Sequence, residues 1–193
     1  MSGRWLVFDY GEVLCTRTKA LPSLAERMGA PLAAFEPAYW AARDAYDRGA
    51  SDLEFWSTVG DALDVRVDEA TSARLTELDI EGWSHVAPES LELVESLAEA
   101  GAALAVLSNA PVSFARFAEE QPWTRHFSEL LFSGDVGMAK PDAKIFELLL
   151  ARLGAEPGDC LFFDDRQANV DGARAAGLHA HVWQGIPSAD ELL

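Results

Sequence analysis

Trp5-Leu6-Val7-Phe8 is a continuous apolar run that stops at Asp9-Tyr10-Gly11. This is the pattern of a strand buried on both faces that delivers a carboxylate at its C-terminal end. Three further runs repeat it: Leu104-Ala105-Val106-Leu107 before Ser108-Asn109, Leu130-Leu131-Phe132 before Ser133-Gly134-Asp135, and Leu161-Phe162-Phe163 before Asp164-Asp165. His181-Val182-Trp183 is a weaker fifth. Between the runs, apolar residues recur at helical spacing: Leu91, Val94 and Leu97; Phe114, Phe117 and Ala118; Ile145, Leu148, Leu149 and Leu153; Val170, Ala173 and Ala176. Strands alternating with helices predict an α/β fold on a doubly wound parallel sheet. Such sheets bind ligands at the carboxyl ends of their strands, which groups Asp9, Ser108, Asp135, Asp164 and Asp165 on one edge.

Asp9 and Ser108 lie 99 residues apart, whereas a crossover with its helix needs only about a few dozen. An insertion therefore follows the first strand, and its pattern is helical. Leu32, Phe35, Tyr39, Ala42 and Tyr46 alternate spacings of three and four, Gly49 ends that helix, and Ser51-Asp52-Leu53-Glu54 reads as the N-cap of the next. Residues 1–15 and 85–193 are expected to form the α/β core, and residues 16–84 a helical cap over the strand ends.

The chain has 193 residues, 49% of them apolar, and 15 Lys+Arg against 32 Asp+Glu give a net charge of −17. The apolar content excludes a disordered chain, and the charge argues against nucleic acid as a partner, since phosphate contacts need a basic footprint. Cys15 and Cys160 have no CxxC neighbour, so they define neither a disulfide framework nor a zinc site and suit a reducing cytoplasm. The few apolar residues between Met1 and Asp9 are too short for a signal peptide or a membrane span. Nothing in the pattern fixes an oligomeric state.

Four short motifs stand at the strand ends or in the helices that follow: Phe8-Asp9-Tyr10-Gly11-Glu12-Val13-Leu14, Ser108-Asn109, Gly137-Met138-Ala139-Lys140-Pro141-Asp142, and Phe163-Asp164-Asp165 with Asn169. In these motifs and their order the chain resembles the haloacid dehalogenase superfamily, in the branch with a helical cap after the first strand. The resemblance implies that Asp9 is the nucleophile, that Asp165, Asp9 and the Gly11 carbonyl bind Mg2+, and that Asp164 positions Asp165. It also casts Ser108 and Asn109 as phosphate donors and Lys140 as the cation that neutralises nucleophile and phosphate.

The residue chemistry points the same way. Phosphoryl transfer needs an in-line nucleophile, a cation on the non-bridging oxygens and fixed donors where charge develops. A carboxylate at Asp9 can form an aspartyl-phosphate and divide the reaction into two steps. Asp9, Asp164 and Asp165 are hard oxygen ligands suited to Mg2+. Pro111 suits the first position of a helix, whose N-terminus would add donors beside Ser108 and Asn109.

The chain departs from the family's phosphatases at Gly11, where they carry a second Asp as general acid. Such an acid contributes about 10²- to 10⁴-fold, so its loss favours easy leaving groups: a sugar 1-phosphate, an acyl phosphate or an aryl phosphate. Glu12 is the candidate substitute, although an adjacent residue on an extended turn is expected to point elsewhere. Two alternatives to a Mg2+-dependent hydrolase of small phosphorylated metabolites stand open. One is a protein that keeps the fold but only binds a phosphorylated ligand or a partner; the other is a 2-haloacid dehalogenase, which needs no general acid.

Other residues have structural readings beside functional ones. Arg43 is either a surface partner of Asp47 four residues on or a substrate anchor in the cap. His179 and His181 alternate on one strand face and are expected to be a satisfied structural pair. Trp56 and Trp83 are expected to pack in the cap and at its hinge.

Overall fold

The computed structural model describes residues 4–185, 187 and 189–192. Residues 1–3, on which part of the N-terminal reading rests, lie outside the described residues. Five parallel strands form the sheet in the order β3-β2-β1-β4-β5: β1 (Trp5–Phe8), β2 (Ala103–Ser108), β3 (Glu129–Phe132), β4 (Cys160–Asp164) and β5 (His179–Val182). Phe8 pairs with Val106 on one side and Phe163 on the other, so β2 runs two residues and β4 one residue past the end of β1. Chain order reverses between β1 and β4, which makes their carboxyl ends the crevice of the sheet.

Alternation along each strand divides the core in two. Leu6, Phe8, Leu104, Val106, Phe132 and Phe163 face α5 (Pro88–Glu99) and α6 (Val112–Glu119). Val7, Ala105, Leu107, Leu131 and Phe162 face α8 (Ala143–Leu153) and α9 (Gln167–Ala175). Because both faces are covered, the central strands read as unbroken apolar runs.

Three details differ from the sequence reading. β5 begins at His179 rather than His181, and both histidines point outward and are exposed; His181 stacks on Phe163, and neither ring has a hydrogen-bond partner among the described residues. β3 runs straight into the short helix α7 (Ser133–Val136), which turns Asp135 outward to Arg116 at 2.5 Å; Asp135 does not join the other strand-end residues. Pro111 is the extended N-cap of α6 rather than its first helical residue.

The insertion holds α1 (Leu21–Arg27), α2 (Leu32–Asp47), α3 (Asp52–Ala62) and α4 (Glu69–Trp83), which share their own apolar cluster around Leu24, Phe35, Tyr39, Tyr46, Trp56 and Leu75. Ser51 and Glu54 form a capping box at the start of α3, each side chain meeting the other's backbone N–H. The insertion seats on the core at the end of α2. The Ser133 hydroxyl donates to the Asp47 carbonyl and accepts from Ala110 N–H at 3.0 Å. Tyr46 shares a hydrogen bond with Ser113 at 3.1 Å, and Arg48 pairs with Asp142 at 2.7 Å. Gly49 lies in the left-handed region with φ +98, where a Cβ would stand 2.9 Å from the Gly134 carbonyl oxygen.

Candidate active site

Asp9 leaves β1 with its backbone N–H on the Phe163 carbonyl at 2.9 Å, which ties the end of β1 to β4. Its Oδ1 accepts from Tyr10 N–H at 2.7 Å and pairs with Lys140 Nζ at 2.9 Å. Asp164, at the end of β4, is fully buried and saturated. It accepts from Lys140 Nζ at 2.6 Å, Arg166 N–H at 2.9 Å and Asn169 Nδ2 at 2.9 and 3.0 Å. Asp165 is half-buried, and its carboxylate takes no side-chain hydrogen bond among the described residues. Oxygens of Asp9, Asp164 and Asp165 lie within 4.8 Å of one another.

Lys140 is the only counter-charge inside this cluster among the described residues. Its ammonium divides its three protons between Asp9, Asp164 and the Leu107 carbonyl, the last at 2.7 Å. Burial alone would depress its pKa, but the two carboxylates hold it above its ordinary value. Burial pushes Asp9 up to about 7, Lys140 pulls against it, and Asp164 adds to the rise. Asp165 is raised too, by burial and then by Asp164 and Glu12. One ammonium thus leaves the carboxylates under-compensated.

The donor set fits a hard divalent cation. Three carboxylates converge, Asp165 takes no side-chain hydrogen bond, and Asn169 Oδ1 is a buried acceptor without a partner among the described residues. An acceptor in that position suits a water in a cation's coordination shell, since Mg2+ keeps several of its waters.

Ser108 ends β2, buried beside Asp9, and its hydroxyl favours the ionised form of that carboxylate. The Asn109 side chain reaches across to the lysine loop. Its Oδ1 accepts from Lys140 N–H at 2.8 Å and its Nδ2 donates to the Lys140 carbonyl at 2.9 Å. The side chain holds the lysine loop in place through its oxygen and one of its two amide protons.

Asp9, Gly11, Ser108, Asn109, Arg43, Asp165 and Asn169 border one pocket, with α2 and α4 over the strand ends. Arg43 does pair with Asp47, but not on an open surface. It is half-buried at the pocket's border, donating to Asp47 at 2.7 Å and to the Tyr39 hydroxyl at 2.9 Å. Trp83 is more than hinge packing, because it borders the pocket and its indole N–H donates to Tyr39 at 3.2 Å.

Glu12 borders the pocket as well, contrary to the extended turn expected for it. The Tyr10 carbonyl accepts from Leu14 and Cys15 N–H, both at 2.9 Å, so the chain turns tightly, and Glu12 sits at its apex with φ 55. Left-handed backbone is uncommon for a glutamate. Asp47, Asp79 and Trp40, which also border the pocket, lay hidden in helical segments where an acid or an exposed aromatic ordinarily faces solvent.

Comparison with known proteins identifies the family and the fold. A phosphatase of Mycobacterium tuberculosis (strain CDC 1551 / Oshkosh) is 28% identical over 94% of this chain and 88% of its own length. Phosphoglycolate phosphatase of Aliivibrio fischeri is 27% identical over 84% of this chain and 74% of its own. A phosphoserine phosphatase of Thermus thermophilus is 36% identical over 50% of this chain, and the match spans 39% of that relative's length. Among solved structures, a haloacid dehalogenase family enzyme of Bacteroides thetaiotaomicron in complex with magnesium and inorganic phosphate superposes with a TM-score of 0.75. It is 17% identical, covers 99% of each chain, and is a likeness of fold alone. The family model for haloacid dehalogenase-like hydrolases matches residues 4–177, and with the strand-end carboxylates and the parallel sheet in place the chain belongs to that hydrolase family.

Proposed function

We propose that the protein is a Mg2+-dependent phosphomonoesterase acting on small phosphorylated metabolites with easily released leaving groups. The observation that carries this reading is the Asp9–Lys140–Asp164 cluster at the sheet's crevice, with the half-buried Asp165 beside it. Mg2+ bound by Asp9, Asp165 and the Gly11 carbonyl would neutralise the phosphate's oxygens and relieve repulsion among the carboxylates. Lys140 holds Asp9 ionised and aimed, while the Ser108 hydroxyl and the backbone after β2 orient the phosphate. An Asp9 oxygen attacks phosphorus as the ester P–O bond breaks, and the leaving group departs with that electron pair. Water then cleaves the aspartyl-phosphate to give inorganic phosphate and free Asp9. Asp164 and Asn169 position; they do not touch the reacting atoms.

No second carboxylate stands at Gly11 to protonate the leaving oxygen, so the rate depends on how readily that oxygen carries charge. Cys15 and Cys160 are free and buried, which supports placing the protein in the cytoplasm. No helix among the described residues is long and apolar enough to cross a membrane. The test is phosphate release from esters of graded leaving-group pKa, with and without Mg2+, run beside chloride release from 2-haloacids. Mg2+-dependent phosphate release that is fastest for acidic leaving groups is expected. Chloride release that persists in a chelator would reverse the assignment in favour of a dehalogenase.

A further inference from the structure

A second cavity lies where the chain crosses between the α/β half and the insertion. The outgoing crossing follows Cys15, the return crossing precedes α5, and the two are stitched together. Thr16 N–H donates to the His85 carbonyl at 3.3 Å, Ala87 N–H donates to the Leu14 carbonyl at 2.9 Å, and Cys15 and Val86 form an antiparallel bridge. Along the outgoing crossing burial alternates as in a strand, with Thr18 and Ala20 turned inward and Arg17 and Lys19 outward. α4 presses on the inward side through Gly82, where a Cβ would collide with Thr18 Oγ1 and Ala20 Cβ. The cavity, of about 340 Å³, is bordered by Thr16, Arg17 and Lys19 of the outgoing crossing, Ser23 of α1, Glu81 of α4 and His85 of the return crossing.

Its charge is opposite to that of the pocket over the strand ends. There, Asp9, Glu12, Asp47, Asp79 and Asp165 stand against two arginines; here, Arg17 and Lys19 stand against one acid, Glu81. The local excess of cations runs against a net charge of −17. The donors are also unspent. The Glu36 carboxylate nearest Arg17 is 3.9 Å away, beyond hydrogen-bond reach, and the side chains of Thr16, Lys19 and Ser23 make no hydrogen bond among the described residues. A guanidinium, an ammonium and two hydroxyls offer more protons than one carboxylate can accept, whereas a phosphate monoester brings three strong acceptor oxygens. Small-molecule sites run from about 300 to 1,000 Å³, so there is room beyond the phosphate for an organic body, and Glu81 offers that body an acceptor.

We propose that this hinge cavity is a binding site for a small phosphate monoester, separate from the site at the strand ends. The phosphate sits between Arg17 and Lys19, and the rest of the ligand reaches Glu81 and His85. Because its contacts come from both crossings, the ligand favours the arrangement of the two halves described here over any other. None of these residues enters the reaction proposed above, so the site stands or falls independently of it.

The test uses metal-free wild-type protein, followed by two-dimensional amide NMR during titration with glucose 6-phosphate at constant ionic strength, with inorganic phosphate and citrate as parallel probes. Saturable shifts are expected at Thr16, Lys19, Ser23 and His85. Glucose 6-phosphate should bind about tenfold more tightly than inorganic phosphate, the size of one hydrogen bond to a charged group. Lys19→Gln and Arg17→Gln should each weaken it by a similar factor. At ten times Kd, exchange of the Thr16 and Ala87 N–H groups should slow about tenfold, since opening of the stitched crossings then requires release of the ligand. A thermal melt reports whether the variants are folded; if neither is, Glu81→Gln decides by loss of the preference for glucose 6-phosphate over inorganic phosphate. Shifts that grow without saturating, or that are confined to Gly11, Ser108 and Asn109, overturn the proposal. So do inorganic phosphate or citrate binding as tightly as glucose 6-phosphate, an affinity unchanged in folded Lys19→Gln and Arg17→Gln, exchange that does not slow at saturation, or a preference kept by Glu81→Gln where that variant decides.

Discussion

Gly11→Asp tests the reading of the site most directly, because it restores the carboxylate whose absence shapes the expected substrate. The backbone permits the change. Gly11 is not among the residues with positive φ, and a Cβ added there meets only the Trp83 ring, at the ordinary contact distance of 4.0 Å. The new carboxyl would share the pocket with Asp9, Glu12 and Asp165. Those neighbours raise its pKa, which keeps a fraction protonated near neutral pH and suits it to donate. A working general acid contributes about 10²- to 10⁴-fold, or roughly 3 to 5 kcal/mol, but only where the leaving oxygen needs a proton. A new side chain without evolved support should deliver the lower end, about a hundredfold on an alkyl phosphate, and far less on p-nitrophenyl phosphate. The assay is kcat/KM across a series of esters at saturating Mg2+, plotted against leaving-group pKa. The slope should flatten in the variant. A wild-type plot that is already flat would refute the reasoning, since another residue would then supply the proton, and Glu12 at the apex of the turn is the one to replace. Mg2+ affinity is measured alongside, so that a displaced Gly11 carbonyl is recognised.

Four further outcomes follow from the same geometry. Asp9→Asn should abolish phosphate release while the melting temperature holds, because Tyr10 N–H can still donate to the amide oxygen and Lys140 keeps Asp164; appreciable turnover would remove Asp9 as nucleophile. Asp165→Asn should raise the Mg2+ concentration for half-maximal activity far more than Asn169→Ala, since Asp164 without Asn169 still holds Lys140 and Arg166 N–H; equal shifts would mean the ligands are misassigned. Lys140→Met strands Asp164 without a cation in the interior and should cost about 3 to 5 kcal/mol in urea denaturation without Mg2+; a loss below 1 kcal/mol would contradict a charged cluster (~1 kcal/mol being what exposed pairs give). Asp47 is raised from 3.8 to about 6, chiefly by burial, so the folded form holds a proton between those values that the unfolded chain has released. Wild-type stability should therefore fall as pH rises from 4 to 6, and the Asp47→Asn protein should lose that part of the slope in thermal melts.

The central sheet was legible because burial on both faces leaves no polar position to blur the runs ending at Asp9, Ser108 and Asp164. β5 was read late by two residues because one of its faces is wet, so His179 and His181 interrupt the apolar pattern. Asp135 was misplaced because apolar content marks where β3 ends but not whether the chain then coils, and α7 coils at once. The side of the pocket built by α2 and α4 was the least legible part. Arg43 and Asp47 four apart look the same in sequence whether the helix face meets water or an aromatic cluster, and Asp79 joins them from another helix. Asn109 shows the same limit, because nothing in its motif says that its amide bonds the lysine loop.

Asp47 has two faces, and they answer to different constraints. Its carboxylate looks into the pocket, while its carbonyl receives the Ser133 hydroxyl and two residues later Gly49 brings backbone against the Gly134 carbonyl. That part of the seating is made by main-chain atoms, which every residue type at position 47 would supply. Replacing the side chain would thus change the pocket's border while the joint between the two halves keeps its form. The same joint would let a designer rewrite that border at Trp40 and Asp47 with the glycine pair left untouched.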